Sequence, residues 1–274
     1  MVSTRGQVVG TERYHPEPRV TDVTGSFERP EFIAQIKETG HVFLFPYEDD
    51  RELSIVDLEA ARELRAGRFA VDRRHYLTPA DVNAVTVVDT RARELVARIP
   101  SYVFGAGPGA SFVDPVLGPV WVTASPLLNE LVVIGRAKDG QWQQLATYEA
   151  PGQGAMYMAV HQSSDHLWVD TPLSSVAEEG QGIAVYDIGA LASGYRRLPI
   201  GQWADVGDGP KRVLQPVFNR AGDEVWISVW NPQDLNSAIV IVDDATLEPK
   251  ATIRDSALIT PTRIYSVADL RRGG

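Results

Sequence analysis

The chain has 274 residues, 44% of them hydrophobic and 23% charged, with 23 Gly, 18 Pro and no Cys. That composition suits a globular protein with a substantial core, and its apolar segments are too short for a membrane-spanning helix. A formal net charge of −10 argues against nucleic acid or an anionic membrane surface as partner. The absence of Cys excludes a disulfide framework, a thiolate zinc site and a C-x-x-C-H haem attachment on this chain. Met1 is followed by VSTRGQVVG, which lacks the apolar run of a secretion signal.

In chain order, a unit of short strands recurs. Its first members are predicted at Glu31–Lys37, His75–Pro79, Val120–Ala124, His166–Asp170 and Glu224–Trp230. The second members are Val42–Tyr47, Val85–Asp89, Leu131–Ile134, Ile183–Asp187 and Ala238–Asp243, most of them ending in an acidic turn. A third follows at Glu94–Ile99, Gln144–Tyr148, Tyr195–Leu198 and Lys250–Ile253. These segments are rich in Val, Ile, Tyr and Trp and are bounded by Gly, Asp, Asn and Pro. Only Asp57–Leu64 reads as a helix. The period, roughly 43 to 55 residues, is that of propeller blades with four short strands each. The expectation is an all-β chain of about five four-stranded blades. Trp121, Trp168, Trp226 and Trp230 fall on strands and are expected to pack between blades. His41 and His75 sit in strands without recognisable partners, His161 and His166 are expected to be solvated, and Asp49-Asp50 and Asp243-Asp244 are read as turn residues.

Several strings carry a family resemblance. VSTRG (2–6), YHPEPRV (14–20), RPEFIAQIKETG (29–40), GPVWVTAS (118–125), LWVDT (167–171), LPIGQWADVGDGPKRVLQP (198–216), GDEVWISVWN (222–231), VDDATLEPK (242–250) and LITPT (258–262) occur in one order. Together they resemble the haem d1-binding domain of the cytochrome cd1 nitrite reductases. The resemblance implies an eight-bladed propeller with haem d1 in a central pocket, of which this chain, 1–274, matches about the last five blades. It implies a periplasmic protein that binds a tetrapyrrole and exchanges electrons with a c-type cytochrome domain or protein, self-association into a homodimer being left open. The relatives include the nitrite reductase and the haem d1 biogenesis proteins, among them a dihydro-haem d1 dehydrogenase. Function has to be argued from the site.

His15, in Tyr14-His15-Pro16-Glu17-Pro18-Arg19, matches one of the reductase's two active-site histidines, and its proline-stiffened loop presents an imidazole suited to proton transfer. The second family histidine falls on Arg65. Arginine stays protonated and cannot deliver the protons that nitrite reduction consumes, though it can still hold an anion. In the segment Tyr102–Phe112, Phe104 falls near a family histidine and Pro108 replaces an arginine, while Gly107 and Gly109 permit close approach to a macrocycle. Arg19 and Arg212 are candidate partners for tetrapyrrole carboxylates, and Gln215 a candidate donor to the ring's substituents. This pattern points to haem d1 or dihydro-haem d1 as ligand and to the biogenesis branch. The alternatives are the C-terminal part of a nitrite reductase and a non-catalytic propeller scaffold.

Overall fold

The computed structural model describes residues 18–47 and 54–259. These form five four-stranded antiparallel sheets, each with its strands in chain order. The first holds β1 (Val20–Gly25), β2 (Glu31–Ile36), β3 (His41–Pro46) and β4 (Val56–Glu59), and the second β5 (Arg68–Phe69), β6 (His75–Ala80), β7 (Ala84–Asp89) and β8 (Glu94–Pro100). The third holds β9 (Ala110–Asp114), β10 (Gly118–Ser125), β11 (Glu130–Arg136) and β12 (Trp142–Glu149). The fourth holds β13 (Met158–Ala159), β14 (His166–Asp170), β15 (Ile183–Asp187) and β16 (Tyr195–Leu198), and the fifth β17 (Arg212–Phe218), β18 (Glu224–Asn231), β19 (Asn236–Asp243) and β20 (Pro249–Ile253). Helices α1 (Ala177–Gly180) and α2 (Ile200–Ala204) decorate the connections.

The sheets stack face to face around an axis. First strands meet first strands, β5 against β9 and β13 against β17, while last strands meet last strands, β4 and β12 against β8. That fan is a β-propeller, and the hydrophobic core lies between successive blades. Ile33, Val42 and Leu44 pack on Leu64, Tyr76 and Val88. Leu77, Val85 and Val87 pack on Trp121, Val132 and Ile134. Between the third and fourth blades Val122, Leu131 and Val133 meet Leu167, Val169 and Tyr186. Trp168, Ile183 and Val185 meet Val225, Ile227 and Val240 between the last two. Middle strands are therefore covered on both faces, and β6 and β7 are buried at every position. The outer strand β8 is covered on one face and alternates exposed with half-buried residues, only Ile99 being buried.

The predicted second and third strands of each blade and the fourth strands of the last four are present, with ends shifted by at most two residues. The helix expected over Asp57–Leu64 is not formed. Val56 and Leu58 alternate in register with Leu44 and Val42 on β3, and Leu64 makes an isolated bridge to Ala80. A period of two with a partner strand at hand outweighs a marginal two-turn helix.

The histidines also differ from expectation. His41 Nδ1 lies 2.5 Å from Asp57 Oδ1. His75 Nδ1 lies 2.5 Å from Asp72 Oδ2, and Arg136 Nη2 of the next blade is 2.9 Å from its Nε2. His166 is half-buried and bonds Asp244 Oδ1 at 3.2 Å. Asp243 is the turn residue expected, accepting from the backbone and hydroxyl of Thr246. Asp244 instead links blades, accepting from Trp168 Nε1 at 2.8 Å as well as meeting His166. Trp121 and Trp168 are wholly buried between blades, as expected, whereas Trp226 and Trp230 are only half-buried. Asp49-Asp50 lies outside the described residues.

The bond to Asp244 raises the His166 pKa above 6.5. Asp244 itself is lowered: burial disfavours its charge, but His166, Ser164 and Trp168 donate to it and outweigh burial. A raised histidine stabilises the fold below its unfolded pKa, and that stabilisation is lost as pH rises through the folded value. Unfolding midpoints should therefore fall on alkaline titration from pH 6, and Asp244→Asn should flatten that dependence. Asp244→Ala, which strands the buried Trp168 N–H, should cost about 1–3 kcal/mol in urea unfolding.

Candidate functional site

Antiparallel pairing brings two sets of connections to one end of every blade. These are the segments leading into the inner strands β1, β5, β9, β13 and β17, and the turns between second and third strands. The described candidate residues all fall on this face. Arg19 precedes β1, Arg65 precedes β5, Gly107 and Gly109 precede β9, Arg212 opens β17, and Gln215 lies within it. His15 lies outside the described residues.

A repeated device holds these entry segments. Near the end of the second strand in four blades, a buried polar side chain binds the segment entering the same blade. Thr78 Oγ1 donates to Arg65 O at 2.7 Å, and Thr123 Oγ1 donates to Gly107 O at 3.0 Å. Asp170 Oδ1 accepts from Met156 N and Tyr157 N at 3.0 and 2.8 Å. Asn231 Nδ2 donates to Val206 O and Asp208 O at 2.9 and 2.6 Å. All four pins are at most 1% exposed. They satisfy backbone groups that the tight inner turns would otherwise orphan. Their signal in sequence is one polar residue in an apolar strand end, as in LTPA, WVTAS, WVDT and SVWN.

The cations differ in what they touch. Arg65 donates from Nε to Ala106 O at 3.0 Å and from Nη1 to Asp81 Oδ2 at 3.1 Å. Asp81 also accepts from Lys37 Nζ at 3.2 Å and Gly105 N at 2.8 Å. Burial opposes ionisation of Asp81, yet the Gly105 amide, Arg65 and Lys37 together hold its pKa below the usual value. Arg65 thus clamps the entry segments of β5 and β9 to the β6–β7 turn, and its charge is compensated. Arg19 is 70% exposed and meets Glu38 Oε1 at 2.5 Å. Arg212 is half-buried and donates from Nη1 to Ser174 O at 3.0 Å, and no carboxylate pairs with it among the described residues.

The glycines make room for the protein's own chain. A Cβ on Gly107 would stand 1.6 Å from Met156 O, and one on Gly109 would stand 2.4 Å from Val122 O. Exposed apolar side chains rim the same face: Tyr102 and Phe104 before β9, Leu128 before β11, Leu173 before β15 and Leu235 before β19. Arg212 and the apolar rim are chemically suited to a planar ligand bearing carboxylates, while at Gly107 and Gly109 the space a Cβ would take is filled by the protein's own chain.

The model of the cytochrome D1 heme domain family matches residues 1–269. The chain belongs to that family. It is 35% identical over 281 residues to the nitrite reductase of Stutzerimonas stutzeri, covering 97% of this chain and 50% of that protein. The chain thus spans about half the length of the curated relative it matches. Among solved structures it is similar to the dihydro-heme d1 dehydrogenase NirN in complex with DHE, with a TM-score of 0.68, 22% identity, and coverage of 92% of this chain and 50% of that one. A protein of unknown function from Desulfotomaculum acetoxidans DSM 771 is similar too, with a TM-score of 0.61 at 10% identity over 86% of this chain and 70% of that one. At these identities the two structures support the propeller fold. No helix among the described residues is long and apolar enough to cross a membrane.

Proposed function

We propose that this d1-domain chain binds haem d1 or its dihydro precursor on the face where the inner strands begin, and that it acts in haem d1 biogenesis as a dihydro-haem d1 dehydrogenase-like protein of the periplasm. Family membership supports the ligand class. The observation that carries the reading is the pair of cations on that face. Arg212 offers a half-buried guanidinium with no carboxylate among the described residues, suited to a tetrapyrrole carboxylate. Arg65, at the position of the family's second histidine, is committed to Asp81 and Ala106 and cannot release a proton at working pH.

Oxidation of a substrate propionate to an acrylate removes two electrons and two protons. His15 would orient the propionate and accept one of the protons, the other passing to solvent. The tetrapyrrole, when bound, supplies the redox-active ring through which electrons leave. A chain without Cys attaches no c-type haem, so a separate c-type cytochrome domain or protein would receive the electrons.

A second reading, favoured by the 35% identity to a nitrite reductase, makes the chain the d1 portion of such an enzyme. Purified protein titrated with haem d1 and with dihydro-haem d1 separates the readings. A Soret shift with both, followed by conversion of the dihydro spectrum to that of haem d1 when an electron acceptor is present, is the expected result. Nitrite turnover by the loaded protein with an electron donor would favour the second reading. No Soret shift with either ligand would leave a non-catalytic scaffold.

A further inference from the structure

We propose that Asp170 is a positioning residue of this face, whose buried carboxylate fixes the backbone of Met156, Tyr157 and Gln215 and so sets Gln215 against the ligand. The ligand half of this inference rests on the reading above; the backbone half does not.

Asp170 ends β14 and is wholly buried. Like the other three pins it holds the segment entering its own blade, through Oδ1. It alone also reaches the next blade, where Oδ2 accepts from Gln215 N at 2.8 Å. Gln215 needs that acceptor. The pairing of β17 with β18 slips between Leu214 and Val217, and Gln215 has a φ of 55°. A left-handed backbone is costly for a residue with a side chain, and the following Pro216 restricts it further. Strain of this kind persists only where the surroundings impose it, and bulges in inner strands re-aim side chains.

The identity of the pin is informative. At the matching position of the next blade, the neutral Asn231 holds its own entry segment. A carboxylate is the costlier choice, since three amide donors do not bring a cation with them. Burial pushes the Asp170 pKa up to about 7 against the pull of those amides. What the carboxylate offers beyond Asn is acceptors on both oxygens, hence a hold on two inner strands at once. Stability of one blade does not require that.

The test is Asp170→Asn, which keeps the volume and can still accept from Met156 and Tyr157 but turns an NH2 group toward the Gln215 amide. Hydrogen exchange at the amides of Met156, Tyr157 and Gln215 should accelerate, at Gln215 by about tenfold or more. Affinity for the tetrapyrrole should fall by about tenfold, with a shifted Soret maximum in the complex. Asp170→Asn combined with Gln215→Ala should bind no more weakly than Gln215→Ala alone, because the two act through one contact. Unchanged exchange at Gln215, a wild-type affinity and Soret maximum, or strictly additive losses would each overturn the role. If wild-type protein takes up no tetrapyrrole, the reading of the face as a tetrapyrrole site falls, and exchange alone decides whether Asp170 holds the two strands.

Discussion

Gly107→Ala is expected to destabilise the fold by about 3 kcal/mol or more, the range of forced overpacking at a site that cannot yield. The added Cβ would stand 1.6 Å from Met156 O and 2.8 Å from Met156 C, both backbone atoms. Neither side is free to retreat. Gly107 O is held by Thr123 Oγ1, and Met156 N by Asp170 Oδ1. Relief therefore requires parting the entry segment of the third blade from that of the fourth, which disturbs two of the four pins. Gly140→Ala is the matched comparison. Its φ is +84° and nothing lies within 4 Å of the new Cβ, so it should cost only the left-handed backbone penalty of about 1–2 kcal/mol. Urea unfolding of the two variants measures the difference. Equal losses would mean that the Gly107–Met156 approach is slack and that the entry segments are not packed on one another.

The readable part of this architecture is the part with a strong local period. Val42, Val85, Leu131, Ile183 and Ala238 all begin or sit in middle strands covered on both faces, and dense runs of Val, Ile and Leu mark them. The inner strands are far harder to find. β5 is only Arg68–Phe69 and β13 only Met158–Ala159, too short for any alternation to register. In Asp57–Leu64 a helical spacing of Leu58, Ala61 and Leu64 coincides with a strand: Leu58 pairs with Val42, and Leu64 bridges to Ala80. Asp244, the partner of His166, and Arg136, one of the partners of His75, sit 78 and 61 residues away on neighbouring blades, whereas Asp72, the other partner of His75, is only three residues away. At the site, the family strings located Arg212 and Gln215, the match to the second family histidine located Arg65, and all three lie on one face. The strings carried no sign of Asp81 beneath Arg65, or of Asp170 beneath Gln215. Those contacts depend on how consecutive blades are stacked. A lone aspartate ending an apolar strand was visible in LWVDT, but its meaning came from the amides around it.

Arg212→Gln is expected to lower affinity for haem d1 by about 10–100-fold while leaving the unfolding midpoint close to wild type, the loss expected for one charge-assisted contact. The reasoning rests on what each cation already holds. Arg19 is 70% exposed and paired with Glu38, so Arg19→Ala should change affinity little, in keeping with exposed ion pairs generally. Arg65 holds Asp81 and Ala106 O, so Arg65→Gln should register first as lost stability, because it removes a cation from a largely buried Asp81. Arg212 spends one N–H on Ser174 O, which fixes the guanidinium at the mouth and leaves further donors on the same planar group. Arg212→Lys should fall between wild type and Arg212→Gln, since lysine keeps the charge but not the fork that matches a carboxylate. Soret titrations on the four variants, each with a denaturation curve, separate these roles. An Arg212→Gln protein that bound haem d1 as tightly as wild type would move the carboxylate contact elsewhere and would remove the cation on which the proposed tetrapyrrole site depends.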